Sequence, residues 1–183
     1  MQRKCTLASA AVAAALFASL TPTVASNDGD HGRGKRRLKA ELRGFSEVPA
    51  VSTPARGSFR ALLSRDETEI AYRLDYSDLE GAVTQSHIHV GAHHTNGGIS
   101  VWLCGTAALP GPAGTPVCGD PGGDGPEASG TLTTANVIGP AGQLIAAGEF
   151  AELVRAIRSG VTYVNVHTSA VPGGEIRGQI KVD

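Results

Sequence analysis

The sequence predicts an all-β protein, an antiparallel β-sandwich with one short helix near residues 149–159. Three observations carry that expectation. Segments of about four to eight residues alternate apolar and polar side chains, the period of a strand with one face buried. Glycine and proline, 24 and 10 of the 183 residues, punctuate those segments as turns between strands require. Convincing helical spacing occurs in a single stretch, Phe150, Leu153, Val154 and Ile157. Hydrophobic residues make up 41% of the chain and aromatic ones 4%. The core must therefore be built mainly from Val, Leu, Ile and Ala.

In chain order, Leu38, Ala40 and Leu42 alternate with Lys39, Glu41 and Arg43 as a half-buried strand,. Glycine and two prolines break the run over 44–54. Residues 57–64 read as a second strand with Phe59 inward, and Arg65-Asp66-Glu67-Thr68 as a turn. In 69–76, Ile70, Tyr72, Leu74 and Tyr76 share one face, so these two strands form a hairpin. Residues 83–90 are a strand, 91–98 a loop, and 99–103 a short strand holding Trp102. The Gly/Pro-rich run 104–128 is long for a loop inside a compact domain. Residues 129–134 form another strand. Gly160 can close the helix, and 161–168 and 175–182 form a C-terminal hairpin across Val171-Pro172-Gly173-Gly174.

The first 25 residues read as a signal peptide. Arg3 and Lys4 precede an apolar run from Leu7 to Leu20, too short to span a bilayer comfortably, and Thr23-Val24-Ala25 supplies small residues for cleavage,. An exported product, secreted or periplasmic, without a membrane span is expected. Residues 26–37, with His31, are a polar, Gly-rich, disordered lead-in, and 38–183 form one domain. The basic run from Arg33 to Lys39 reads as solvated. Without residues 1–25, 14 basic side chains face 17 acidic ones, which argues against nucleic acid as a partner. Cleavage also removes Cys5. In an oxidising compartment Cys104 and Cys118 form one disulfide within the 104–128 loop, stabilising the fold by roughly 3 kcal/mol. Asp120, Asp124 and Glu127 offer carboxylates but lack the spacing of a calcium loop. No nucleophile elbow and no phosphate-binding loop is present.

The chemistry of interest lies in histidines. His87 and His89, at i and i+2 of a strand, point to one side. Tyr163, Asn165 and His167 share a face of a later strand. If the two strands lie together, His87, His89 and His167 converge as a three-imidazole set suited to copper or zinc. His93 or His94 would be an auxiliary ligand from the loop. Asn165 and Tyr163 would orient the ligands from behind. A distance above about 8 Å between the His87 and His167 ring nitrogens would exclude a shared ion, because each metal–nitrogen bond spans about 2 Å. The structural alternative is that these imidazoles hydrogen-bond backbone carbonyls at strand ends. For Glu47, Glu175 and Arg177 a structural role is expected: Glu175 and Arg177, on one face of the last strand, forming a structural ion pair with Glu47 or Asp75, and Arg177 pinning the 44–54 loop.

Three stretches, LRGFSEVPAV (42–51), SHIHVGAHHTNGGISVWL (86–103) and YVNVHTSAVPGGEIRGQI (163–180), together resemble the CHRD domain, the module named after chordin. The resemblance spans roughly residues 38–182, and the helix before YVNVHT is similar to the family pattern. It implies an immunoglobulin-type β-sandwich in a single-domain exported form; in chordin such modules belong to a secreted antagonist of growth-factor signalling. One departure stands out. The family usually carries small residues or proline after the His-x-His-x-Gly, where this chain has His93-His94. The paired strand histidines with a distant third are also similar in pattern to the copper site of the superoxide dismutases, so the sandwich is expected to be immunoglobulin-like or superoxide-dismutase-like. Three functions follow as expectations: a non-enzymatic metal-binding module, copper before zinc; an extracellular protein- or glycan-interaction module with structural histidines; and, weakest, a copper redox enzyme.

Overall fold

A computed structural model describes residues 36–121 and 127–183. The expected signal segment, most of the lead-in with His31, and Asp124 lie outside the described residues. The described chain is an antiparallel all-β structure, as its periodicity predicts. Its strands are β1 (Arg37–Arg43), β2 (Arg56–Leu63), β3 (Ile70–Ser77), β4 (Val83–Val90), β5 (Gly98–Gly105), β6 (Ala128–Leu132), β7 (Thr162–Thr168), β8 (Ile176–Gln179) and β9 (Lys181–Val182). Helix α1 (Phe150–Arg158) precedes β7.

The strands form one sheet in the order β5-β4-β7-β8-β1-β2-β3-β6, with β9 paired to β1. The sheet curls on itself into a nearly closed, barrel-like sandwich. Its two edges are drawn together at β5: the Tyr72 hydroxyl on β3 donates to the Leu103 carbonyl at 2.5 Å. Burial pushes the Tyr72 phenol up to about 12, so it stays protonated and remains a donor. The Cys104–Cys118 disulfide and a parallel bridge from Gly105 to Val117 hold the following loop against the same edge.

The core is aliphatic, as the composition requires. In β1 the burial alternates strictly, with Leu38, Ala40 and Leu42 inward. Ile70, Tyr72, Leu74 and Tyr76 face the same interior from β3, and Ile88, Val101, Leu103, Val164, Val166 and Ile176 from the other half. Phe150, Leu153, Val154 and Ile157 of α1 are buried. The helix ends in a Schellman motif: Gly160 N donates to Ile157 O and Val161 N to Ala156 O, with Gly160 at φ +70°, where a side chain would be strained.

Three boundaries differ from the sequence reading. β1 begins at Arg37, because Arg36 is already anchored by its guanidinium on Leu63 O. Cys104 lies inside β5 instead of opening the loop. The last strand breaks at Ile180 into β8, which pairs with β7, and β9, which pairs with β1.

Candidate metal centre

β7 lies between β4 and β8, and its residues are buried throughout. One face carries Val164 and Val166 into the apolar core. The other carries Tyr163, Asn165 and His167, and the register sets His89 opposite Tyr163, His87 opposite Asn165, and Arg177 of β8 opposite Asn165 on the far side. Polar side chains of three strands therefore meet on the face turned away from the core. His87 is 1% exposed and His89 and His167 are nearly as buried.

The three imidazoles converge. His87 Nδ1 stands 3.3 Å from His167 Nε2, far inside the 8 Å limit. One ligand atom from each of His87, His89 and His167 lies within 4.8 Å of the others. Nitrogens sharing one ion stand at most about 4 Å apart, so side-chain adjustments of under about 1 Å would close the set.

Backbone carbonyls decide which nitrogens are available. His89 Nδ1 lies 2.9 Å from Gly97 O and His167 Nδ1 lies 2.9 Å from Pro172 O. A carbonyl only accepts, so Nδ1 carries the proton in both rings and Nε2 is left as a lone pair. His87 Nδ1 must then donate to His167 Nε2, which bares His87 Nε2. The Nε2 atoms of His87 and His89 are buried and meet no hydrogen-bond partner among the described residues. Buried acceptors without donors are uncommon, and an ion is one occupant that satisfies them.

Burial also keeps the rings neutral, the form that ligates. Desolvation, with His167 and His89 adding repulsion, pushes His87 down to about 2. Desolvation lowers His89 to about 4, with His167 and Arg177 adding to the lowering and the Gly97 carbonyl and the neighbouring Asn165 side chain partly offsetting it. Desolvation lowers His167 as well, against the Pro172 carbonyl.

Around the histidines the packing is aromatic and cationic. The Tyr163 ring stacks flat on His89 with centroids 4.8 Å apart, and the Arg177 guanidinium lies 3.3 Å from the Tyr163 centroid. Because β7 separates β4 from β8, Tyr163 stands between the two. Trp102 meets His87 edge-on at 4.4 Å. Two irregularities in the β4–β5 register flank His87 and His89, leaving Leu103 and Ser100 as extra residues on β5. Bulges of this kind re-aim side chains at sites.

Arg177 holds the loop after β4, donating to Thr95 O at 2.7 Å and to Asn96 Oδ1 at 3.3 Å. Arg177 also attracts the Glu47 carboxylate of the 44–54 loop, and Glu175 ties the same loop by accepting from Thr53 Oγ1 at 2.8 Å. Glu175 also accepts from Glu80 N and Thr168 Oγ1, which ties the turn before β4 to the end of β7. Its three donors replace the expected ion pair. Asp75 pairs with Arg73 instead. Glu47 is buried and raised to about 7 by desolvation, against the pull of Arg177. Gly174, at φ +121°, packs so closely that a Cβ there would lie 2.6 Å from Glu47 Oε1. His93 and His94 are exposed, meet each other edge-on with centroids 4.5 Å apart, and line a different cleft with Arg43 and Lys181; they are not brought to the cluster. Asn165 stands beside His89, though its Oδ1 has no hydrogen-bond partner. Glu127 of the acidic trio is engaged elsewhere, accepting from Tyr76 N.

Sequence reasoning missed Trp102 as a neighbour of His87 and the two carbonyls that orient the rings. The Pro172-Gly173 turn is visible in the sequence as a turn, but not as an acceptor.

The CHRD domain family matches residues 38–180. The chain belongs to the CHRD domain family. No curated protein and no solved structure matches it. No helix among the described residues is long and apolar enough to cross a membrane.

Proposed function

We propose that this CHRD-domain protein is an exported, non-enzymatic metal-binding module that holds one ion, copper in preference to zinc, on His87, His89 and His167. The observation that carries the reading is the division of labour between ring nitrogens. Nδ1 of His89 and of His167 is spent on a carbonyl, while the buried Nε2 atoms of His87 and His89 have no partner. In His89 the structural and ligand roles use different nitrogens; in His167 the ligand role requires that an ion displace the His87 Nδ1 proton from Nε2. Three neutral imidazoles with an open position suit both copper(II) and zinc, and the affinity order of divalent metals favours copper. Arg177 and Tyr163 back His89 and fix its ring plane, as outer partners of metal ligands do. Export rests on residues 1–25 and on the bridged cysteine pair,.

The test is metal content after incubation of tag-free protein with copper(II) or zinc(II) and dialysis. One equivalent of copper is expected in the parent, with at least a tenfold loss of affinity in His87→Ala and His167→Ala. Protein that stays metal-free, or variants that bind unchanged, would overturn the reading.

A further inference from the structure

The outer face of the other half of the sheet carries a feature the metal reading does not use. Along β1 the exposed positions are Arg37, Lys39, Glu41 and Arg43. The register places Lys181 of β9 opposite Lys39, Lys39 opposite Arg60 of β2, and Arg60 opposite Arg73 of β3. Four cations therefore form one row across four adjacent strands. With strands about 4.8 Å apart the row runs about 14 Å. Arg43 and Arg56 face each other in a second row.

Like charges set directly opposite are destabilising, and the chain's formal net charge is −1. The local concentration is therefore not a reflection of overall composition. Acids offset it only in part. Asp183 pairs with Lys39 and Asp75 with Arg73, Asp78 lies 3.8 Å from Arg56, and Glu41 lies between the rows. Arg60, Lys181, Arg37 and Arg43 make no side-chain hydrogen bond or ion pair among the described residues.

Beside the rows, between β1 and β8, lies a cleft of about 450 Å³ whose walls include Lys39, Arg43, His93, His94, Gln179 and Lys181. Phe45, between the cleft residues Arg43 and Ser46, is 75% exposed. An exposed aromatic ring on the segment that also supplies Arg43 and Ser46 to the cationic cleft suits a charged sugar. The apolar face of a pyranose lies on the ring, and its carboxylate or sulfate meets the cations.

We propose that this face, with the cleft and Phe45, binds an acidic polysaccharide whose anionic groups follow the cationic row. A polysaccharide is favoured over nucleic acid because the chain as a whole is slightly acidic, which would repel an extended nucleic acid elsewhere along its length, and because the bridged cysteines suit an oxidising compartment.

The experiment measures binding of the full protein to heparin, alginate, neutral dextran and a single-stranded DNA of matched charge, in chelator and 0.15 M salt, about physiological ionic strength. Chelation removes any metal, so the outcome is independent of the histidine site. Heparin or alginate is expected to bind and dextran not. Arg60→Glu/Lys181→Glu should weaken binding at least tenfold. Phe45→Ala should weaken it severalfold without changing the salt dependence. Glu41→Gln should strengthen it, an effect of opposite sign that misfolding cannot mimic. Failure of both acidic polysaccharides to bind, DNA binding as tightly as either, or indifference to Arg60→Glu/Lys181→Glu and Glu41→Gln would overturn the proposal.

Discussion

β7 and β1 are both interior strands of the same sheet, and both align polar side chains across their neighbours. Across β4, β7 and β8 the aligned groups are His87, Asn165 and Arg177, buried together. Across β9, β1, β2 and β3 they are Lys181, Lys39, Arg60 and Arg73, all in water. The geometry of alignment is the same and the chemistry is opposite. Where loops cover the face, desolvation keeps the imidazoles neutral and leaves the Nε2 lone pairs of His87 and His89 without a partner. Where nothing covers it, the charges persist and repel through solvent. The difference teaches that register assembles a group of side chains, whereas burial decides whether the group acts as Lewis bases or as a charged surface.

The comparison can be broken most severely on the buried side. Arg177→Ala removes charge-assisted bonds to Thr95 O and Asn96 Oδ1 and the stack on Tyr163. Urea unfolding should show a loss of about 3 kcal/mol. Gly178→Ala comes next. A Cβ there would sit 2.3 Å from Glu41 O, wedging β8 from β1 where the two halves join, and should cost about 2 kcal/mol.

A pH titration of the metal-free protein sharpens the contrast at smaller amplitude. His87 and His89 have folded pKa values of about 2 and 4 against an ordinary 6.5. Below 6.5 the unfolded chain binds more protons than the folded one, so stability is full above that pH and falls as pH drops, through 4 for His89 and on towards 2 for His87,. Glu47 works in the other direction: its folded value of about 7 exceeds its ordinary 4.5, so its contribution is full below 4.5 and declines as pH rises through 7. A stability maximum near neutrality is expected, and Glu47→Gln should steepen the fall on its acid side between about 7 and 4.5, where Glu47 otherwise offsets the histidines, and remove the decline just above the maximum,. The smallest effect belongs to the exposed row. Arg60→Gln should change stability by no more than about 0.5 kcal/mol, towards greater stability, because it relieves opposed like charges.

Much of this was legible in the sequence, for identifiable reasons. The period of two in 38–42 and 70–76 sets which side chains enter the core, and the same period places His87 with His89 and Tyr163 with Asn165 and His167. The stripe from Phe150 to Ile157 and Gly160 mark α1 and its end. What escaped depends on contacts made by backbone atoms or by irregular register. The carbonyls of Gly97 and Pro172 have no side-chain signature. Trp102 reaches His87 only because β5 carries extra residues beside it. That Arg177 holds the loop after β4 and Glu175 ties the 44–54 loop escaped the sequence because loop positions follow from packing, not from distance along the chain. The cationic row is invisible until β1, β2, β3 and β9 are put in register.

Trp102 provides the most direct test of the metal centre, since it is the chain's single tryptophan and lies edge-on to His87 at 4.4 Å. Copper(II), which quenches a nearby indole, should be titrated into the tag-free protein while Trp102 emission is followed. Quenching is expected to reach a plateau at one equivalent, to be relieved by excess zinc, and to lose its plateau in His167→Ala, which keeps both Trp102 and His87. Quenching without a plateau, or an unchanged titration in His167→Ala, would contradict a shared ion on His87, His89 and His167.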